Sequence, residues 1–475
     1  METVALDRVL ARRGHPWLTT GLLVLSDFTS IGVVWVAVVW GRYLLGGVFD
    51  PAIYWRLWPV LLVFLLVYRV LGLYPGVGLN PAEELRRTSA GTTLVYLLLG
   101  STTFLVKEAE TYSRAVFLAG WMLTLLAVPL SRATIRHFFS RRPWWGHPLL
   151  ILGAGQAGVA IAHALMRNTG LGLRPVAFLD DSLKGQEVAG LPVIGGLEAA
   201  PLAAQQYKIH HALVAMPSAP REELLRVIER YGSAFPHLTL IPDLFGMASL
   251  WVSPLDIGGM LGLEVRNNLL RPWPRRLKRA LDLTGVLIGG TILLPFLATI
   301  ALLVRLDSPG PAFFGHERMG QHGKRFRAWK FRTMVSNADQ LLQQALQASA
   351  ETKAEWERDQ KLKDDPRVTR LGRWLRRTSL DELPQLWNVL KGEMSLVGPR
   401  PIVESEVGRY SDRFDLYTQV LPGITGLWQV SGRNATSYQE RVSLDTYYVR
   451  NWSLWLDLYL LARTVWAVMW GKGAY

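Results

Sequence analysis

His147-Pro-Leu-Leu-Ile-Leu-Gly153-Ala-Gly155-Gln-Ala-Gly158 reads as a strand, a glycine turn and the start of a helix that continues through Val159–Met166. Gly153 and Gly155 would let the backbone approach a pyrophosphate at the helix N-terminus, and Gly158 would let helix and strand pack closely. Val176-Ala-Phe-Leu179 supplies a second strand that ends at Asp180 and Asp181, and Ala212-Leu-Val-Ala-Met216 a third. This is a Rossmann-type βαβ pattern. The acidic pair falls about 22 to 28 residues beyond the glycines, where a ribose-binding carboxylate would lie. The same pattern fits a retained fold whose site is empty or regulatory, because no hydride-transfer machinery follows it.

Upstream, four apolar stretches run roughly over Trp17–Leu45, Ile53–Leu73, Thr92–Val106 and Ala115–Leu130. Most approach the ~20 residues that a spanning helix needs; the third is the weakest. Arg8, Arg12 and Arg13 precede the first, Arg86 and Arg87 lie between the second and third, and Arg132, Arg136, Arg141 and Arg142 follow the fourth. The positive-inside rule then places both ends of this bundle in the cytoplasm. The first stretch is too long for a cleavable signal peptide and lacks a small-residue cleavage site. Asp27 lies inside it, and either serves function or pairs with a neighbouring helix.

Composition agrees. The chain has 475 residues, half of them apolar, with 19 Trp and 19% charged residues. That excludes a disordered or fibrous chain and suggests about two to four domains. The absence of Cys excludes disulfides, thiolate metal sites, iron–sulfur clusters and a Cys nucleophile. The net charge of +14 is uneven: residues 1–146 hold 14 Lys/Arg and 8 Asp/Glu (+6), residues 147–270 hold 8 and 10 (−2), and residues 271–475 hold 30 and 20 (+10). A near-neutral middle argues against nucleic acid and for a membrane protein whose soluble parts handle phosphates.

A fifth apolar stretch, Leu281–Val304, differs from the others. Arg271, Arg275, Arg276, Lys278 and Arg279 crowd its start, and Arg305, Arg318, Lys324 and Arg325 follow its end. A full span would carry one basic flank across the membrane. Pro295, with Gly289 and Gly290 before it, removes a helix hydrogen bond. The expectation is a broken, re-entrant helix over 279–304 that returns to the face it entered from. A fifth span with a proline kink is the alternative.

Residues 310–435 are dense in Arg, Lys, Gly and Pro. In Lys330-Phe-Arg-Thr-Met334 the alternation would place Lys330 and Arg332 on one strand face. In Arg376-Arg-Thr-Ser-Leu-Asp-Glu-Leu-Pro-Gln-Leu386, Thr378, Ser379 and Asp381 are candidate N-caps, and Ser379-x-x-Glu382 matches a capping box. Pro384 favours Asp381 as the cap, with Leu383, Leu386 and Leu390 as the buried stripe and Gly392 as the stop. The same geometry serves chemistry equally well. Adjacent carboxylates at a helix start beside Arg376 and Arg377 can hold Mg2+ and a phosphate together, or attack phosphorus. Arg400, between two prolines in Ser395-Leu-Val-Gly-Pro-Arg-Pro401, is presented stiffly and suits bidentate phosphate binding. A polar amphipathic helix is expected over 337–363. An interfacial helix is expected from Trp452 onward through Trp466 and Trp470.

Residues from about 275 to the end resemble the monotopic phosphoglycosyl transferases, the bacterial sugar transferases that start lipid-linked glycans. The matching text is Gly310-Pro311, Arg318-Met-Gly-Gln-His-Gly323, Lys330-Phe-Arg-Thr-Met334, Asp365-Pro-Arg-Val-Thr369, Thr378-Ser-Leu-Asp-Glu-Leu-Pro-Gln-Leu386, Met394-Ser-Leu-Val-Gly-Pro-Arg-Pro401 and Gly423-Ile-Thr-Gly-Leu-Trp-Gln-Val-Ser-Gly-Arg433. With the upstream blocks, the whole chain resembles the long form of the family. Ala354-Glu-Trp-Glu357, Asn451-Trp-Ser-Leu-Trp455 and Gly473-Ala-Tyr475 are similar to its galactose-transferring subgroup.

The resemblance implies three parts: a four-helix membrane bundle over 1–146, a Rossmann-like α/β domain over 147–262, and a catalytic α/β domain over 263–475 anchored by the re-entrant helix. It implies that Asp381 is the nucleophile and Glu382 its partner carboxylate, for Mg2+ held by the pair or for proton handling. Arg376, Arg400, Lys330, Arg332, Arg318 and Pro401 would bind substrate. Galactose-1-phosphate, with glucose-1-phosphate second, would pass from a UDP-sugar to undecaprenyl phosphate through an aspartyl-phosphosugar, with UMP released. A homodimer in the bacterial inner membrane, with both soluble domains cytoplasmic, is implied as well. The family's Ser-Pro break is Leu294-Pro295 here, so Pro295 carries over and the Ser contact does not. Two other classes compete. A membrane-tethered nucleotide-sugar dehydrogenase or epimerase would use Gly153, Gly155 and Gly158 but needs a Tyr-x-x-x-Lys pair, which residues 159–270 lack. A scaffold or transport component would need polar residues along the spans, where Asp27 is nearly alone.

Overall fold

The computed structural model describes residues 15–46, 50–105, 112–241, 252–257, 260–265, 268–270, 272–349, 365–431 and 437–469, with positions 353 and 362. The chain forms two compact units, Met1–Gly246 and Met247–Tyr475.

The first unit opens with helices α1 (Pro16–Leu44), α2 (Pro51–Val70), α3 (Pro81–Leu105) and α4 (Arg114–Phe139). Three of them, α1, α2 and α4, are long and apolar enough to cross a membrane. Helix α3 falls short: its first turns carry Glu83, Glu84, Arg86 and Arg87, and the uncharged remainder is diluted by Thr, Ser and Gly, so the expected apolar stretch is only its second half. Outward-facing Leu25, Leu62, Leu97 and Leu126 suit contact with lipid tails. Charges gather inside. Arg132 donates to both carboxylate oxygens of Asp27 and to Glu84, Arg136 donates to Glu84, and the Tyr74 hydroxyl donates to Asp27. Asp27 is therefore the buried partner of α4. Removing one member of such a network costs about 3–5 kcal/mol, because its counter-charge stays behind unpaired.

The α/β part of this unit has a six-stranded sheet, with β1 (His147–Leu152), β2 (Leu173–Leu179), β3 (Glu187–Val188), β4 (Leu191–Gly195), β5 (His211–Val214) and β6 (His237–Leu240) in the order β3-β4-β2-β1-β5-β6. All pairs are parallel except β3–β4. Alternate β1 residues face opposite layers, as a strand requires. Leu149 and Ile151 pack with α5 (Gln156–Arg167), while Leu150 and Leu152 pack with α6 (Ala200–Tyr207) and α7 (Arg221–Tyr231). Gly78 donates to the Leu171 carbonyl, and Gly146 to the Thr19 hydroxyl, so backbone bonds tie this layer to the helices before it.

The second unit begins with a hairpin, β7 (Val252–Ile257) and β8 (Met260–Val265), paired from Val252↔Val265 to Ile257↔Met260. The boundary expected at 262 falls inside β8, and the two compact units part after Gly246. Helix α8 (Pro272–Asp307) follows. Helical structure runs on through Pro295, so the expected interruption of the helix is absent; the Thr299 hydroxyl donates to the Pro295 carbonyl. Both arms of α8 pack on the same unit. Val286 meets Phe326, Val389 and Met394, while Ile300 and Val304 meet Ala312, Phe331 and Leu375. Between the arms Leu287, Ile288, Ile292 and Leu294 are exposed. The basic collar is tied down too: Arg279 donates to the Val389 and Leu390 carbonyls, and Lys278 to Asp457 at 2.6 Å.

Beyond α8 lie the antiparallel pair β9 (Phe313–Met319) and β10 (Arg325–Phe331), then α9 (Ala338–Ala348), α10 (Arg370–Thr378), α11 (Leu386–Lys391), β11 (Ser395–Val397), β12 (Gly423–Thr425), α12 (Leu427–Ser431), α13 (Tyr438–Asn451) and α14 (Leu454–Met469). Helix α9 stops at Ala348, where Ser349 is extended, so it is shorter than the polar helix expected over 337–363; Ala354-Glu-Trp-Glu357 lies outside the described residues, as do Arg8, Arg12, Arg13, Arg271, Arg433, Trp470 and the final Gly473-Ala-Tyr475. Helix α14 does not simply lie on a surface: Leu456, Asp457 and Leu460 are buried, and Val465 and Trp466 are exposed.

Candidate active site

Asp381 and Glu382 sit in a 3₁₀ segment, Leu380–Gln385, between α10 and α11. The turn exists because α10 stops at Ser379, which adopts a left-handed conformation with φ 57° and joins the two elements. Asp381 is therefore no α-helix cap, contrary to expectation. Pro384 lies inside this segment, as its fifth residue, and offers no N–H to the Asp381 carbonyl. The buried side is Asp381, Gln385, Asn388 and Val389, while Leu386 and Leu390 are only partly buried and Leu383 lies between the extremes. That difference turns the carboxylate inward. Gly392 closes α11, as the sequence indicates.

Lys330, on β10, reaches both carboxylates, with Nζ 2.6 Å from Glu382 and 3.7 Å from Asp381. Burial pushes the Asp381 carboxyl up to about 6; Lys330 and Arg376 pull it down, and Glu382 pushes it further up. Arg376 donates through Nε to the Thr333 hydroxyl at 2.9 Å, which fixes it on the Asp381 side. Gly372 makes this approach: a Cβ there would stand 2.1 Å from the Thr333 carbonyl oxygen. Thr369 caps α10 by accepting from Gly372 N–H, and Asp365 holds Arg367 bidentately just before it.

A second basic group faces the dyad from β9. Arg318 donates to the Pro401 carbonyl at 3.3 Å, and Met319 pairs with Ile402, so β9 grips the Pro-Arg-Pro loop. Burial and the neighbouring Arg400 lower the Arg318 pKa, while Glu406 and Glu382 raise it. The Arg400 carbonyl accepts from the Tyr417 hydroxyl. Lys330 and Arg376 thus act on Asp381, and Arg318 on Glu382, while Arg400 and Pro401 are joined to this group through Arg318. Arg332 is not part of it. Its guanidinium donates to the Ser308 and Pro309 carbonyls and to the Ser308 hydroxyl, which caps the end of α8.

Among the described residues no group of three or more His, Asp or Glu could hold a metal. Two adjacent carboxylates do fit Mg2+, which takes one or two protein carboxylates and fills its other positions with water and substrate phosphates. The glycine turn of the first unit is built as expected, since a Cβ at Gly158 would stand 2.1 Å from the Gly153 carbonyl oxygen, and Gly155 faces open space. Asp180, however, accepts from Ala154 N–H and Ser182 N–H, which closes the turn instead of facing a ribose.

Sequence reasoning missed Asn388. It is fully buried, accepts from Trp329 N–H and donates to the Arg327 carbonyl and Glu393, so α11 sets the register of β10 and places Lys330 beside the dyad. Its signal is the polar side Asp381, Gln385, Asn388, which the leucines obscure. It also missed Asp457, which joins Lys278, Tyr448 and Trp452.

Two adjacent carboxylates with Lys330 at both of them and Arg376 beside Asp381 form a cluster suited to binding and transferring phosphoryl groups. Residues 273–471 match the bacterial sugar transferase family, and residues 69–242 match a CoA-binding domain. The chain is 38% identical over 391 residues to the UDP-galactose-lipid carrier transferase of Erwinia amylovora, covering 81% of each chain. It is 38% identical over 385 residues to the undecaprenyl-phosphate galactose phosphotransferase of Salmonella typhimurium, again covering 81% of each. It is 30% identical to the UDP-glucose:undecaprenyl-phosphate glucose-1-phosphate transferase of Escherichia coli, covering 88% of this chain and 89% of that one. The chain belongs to the bacterial sugar transferase family, in its long form, and is a phosphoglycosyl transferase.

Proposed function

We propose that the enzyme transfers galactose-1-phosphate from UDP-galactose to undecaprenyl phosphate, with UDP-glucose the second-choice donor, at the start of a surface polysaccharide. The relatives named for undecaprenyl-linked galactose transfer are more similar to this chain than the two named for glucose, which supports that order. The observation that carries the reading is the Lys330-clamped pair Asp381 and Glu382. An Asp381 oxygen attacks the sugar-linked phosphorus, the bond to the UMP oxygen breaks, and an aspartyl-phosphosugar forms. An oxygen of undecaprenyl phosphate then attacks the same phosphorus and frees the carboxylate, giving undecaprenyl diphosphate-sugar. One phosphoanhydride replaces another, so no ATP is needed.

Lys330 and Arg376 offset the charge that would otherwise repel two anions, and Arg318 and Arg400 orient the diphosphate. Mg2+ at the dyad would supply further charge neutralisation at the phosphates. Both arms of α8 pack on one unit with exposed apolar residues between them, which supports a helix that immerses this middle stretch in the membrane while both of its ends stay with the catalytic unit. On this reading the site lies at headgroup level on the cytoplasmic face of the inner membrane, where the polyprenyl phosphate resides. The homodimer belongs to the proposal on family likeness alone.

Purified enzyme with Mg2+ and undecaprenyl phosphate should release UMP from UDP-galactose faster than from UDP-glucose. No UMP from any UDP-hexose would end this reading. The pH response follows from the dyad. Attack needs the ionised carboxylate, so kcat/KM falls as pH drops through the Asp381 pKa, which lies near 6 without a cation. A divalent cation on the carboxylate favours ionisation and lowers that value. The acid limb should therefore move to higher pH as Mg2+ is reduced. A limb that ignores Mg2+ would contradict metal contact at the dyad.

A further inference from the structure

Among the described residues of the second unit, four buried polar atoms without a hydrogen-bond partner occur around one place: Trp428 Nε1, the Tyr438 hydroxyl, Arg441 Nη1 and Asp445 Oδ1. Tyr438, Arg441 and Asp445 follow one another at spacings of three and four along α13, so they share one helix face. The Arg441 guanidinium lies over the Tyr438 ring at 4.6 Å and over the Trp428 ring at 5.0 Å. The same Trp428 ring carries the Arg400 guanidinium at 5.1 Å. One indole, 7% exposed, thus holds two cations.

Two guanidiniums on one ring repel each other, and the surroundings offset this. Asp445 is buried and accepts from the Tyr410 hydroxyl at 2.8 Å. Burial pushes its carboxyl up to about 7, with Tyr410, Arg441 and Arg400 pulling it back. Glu406 stands 3.7 Å from Arg441 Nη1. The Arg400 backbone is held by the two prolines, by Asp445 and by the Tyr417 hydroxyl on its carbonyl. Backbone tethers alone leave the long side chain free to rotate; an aromatic face removes that freedom and fixes the plane of the guanidinium.

We propose that Trp428 and Arg441 are positioning residues for Arg400: the indole fixes the plane of its guanidinium, and Arg441, balanced by Asp445 and Glu406, holds the indole in place, so that Arg400 meets a phosphate of the nucleotide sugar bidentately. This rests on the reading of Arg400 as a phosphate ligand. It adds two residues, from α12 and α13, to a site otherwise built from β9, β10 and the segments around α10 and β11.

The test measures KM for UDP-galactose and kcat for UMP release in the full-length enzyme. Trp428→Ala should raise KM about tenfold with kcat within about twofold, which is the scale of a desolvated cation–π contact. Trp428→Phe keeps an aromatic face and should recover most of the loss. Arg441→Gln should raise KM in the same direction by a smaller factor. In an Arg400→Ala background, Trp428→Ala should add nothing. Additive effects of Arg400→Ala and Trp428→Ala, or a Phe variant no better than Ala, overturn the proposal. If Trp428→Ala fails to fold, the Phe and Arg441→Gln variants carry the same comparison, and a normal KM in Arg441→Gln counts against it. An unchanged KM in Arg400→Ala itself instead overturns the underlying assignment of Arg400.

Discussion

Asp381→Asn should leave the enzyme folded and abolish UMP release, by about 10⁴-fold or more, as loss of a covalent nucleophile does in other enzymes. The carboxamide matches the carboxylate in size, so the 3₁₀ turn and the Lys330–Glu382 contact at 2.6 Å persist. Only the attacking oxygen is lost. Stability should move the other way. Burial raises the Asp381 pKa in the folded protein to about 6, so the contribution of this group is fully present below its unfolded value and is lost as pH rises through 6. A neutral side chain escapes that loss. The variant should therefore melt at the same temperature as the parent or slightly higher at pH 8, a trade of stability for chemistry common at active sites. Residual activity near the parental rate would remove Asp381 from the nucleophile role whatever happens to the melting temperature.

The second large effect is structural. Asp457→Ala should cost the catalytic unit about 3–5 kcal/mol. Asp457 is fully buried and accepts from Lys278 Nζ at 2.6 Å, the Tyr448 hydroxyl at 2.8 Å and the Trp452 indole at 2.9 Å. Its loss strands a buried ammonium between two aromatic rings. For a unit of this size the melting temperature should fall by roughly 10 °C. Lys278→Met together with Asp457→Leu removes both charges and should restore most of that, since a buried pair often exchanges for apolar packing at little cost. Calorimetry in detergent checks both variants. A single variant that melts like the parent, or a double variant no better than the single one, would mean that this pair does not hold the first arm of α8 to α14.

Much of the architecture can be read locally. The glycine turn, its flanking strands and three of the four amino-terminal helices follow from runs of residue types over short windows, and so does the stop at Gly392. Chemistry packed into single segments is equally legible: Asp381-Glu382 and Pro399-Arg400-Pro401 stand out before any coordinates. What is not legible depends on partners far apart. Lys278 and Asp457 are separated by 179 positions, and Asn388 meets β10 across about 60. Arg332 alternates with Lys330 as a phosphate ligand should, yet β10 ends at Phe331 and the end of α8 accepts its hydrogen bonds first. Asp381 looks like a helix cap because capping patterns cannot distinguish an α-helix from a 3₁₀ turn. Asp27 looks like a functional charge because its partners, Arg132 and Tyr74, arrive from other segments.

The central claim is that Asp381 is covalently modified before the lipid acceptor takes part. Enzyme stripped of undecaprenyl phosphate, mixed with UDP-galactose and Mg2+ and quenched rapidly, reports on this directly. One burst of UMP, at most equal to the enzyme present, is expected, together with a hexose-phosphate adduct on the peptide carrying Asp381 by mass spectrometry. Adding undecaprenyl phosphate should discharge the adduct. UMP that appears only once the acceptor is added, with Asp381 unmodified throughout, would contradict it.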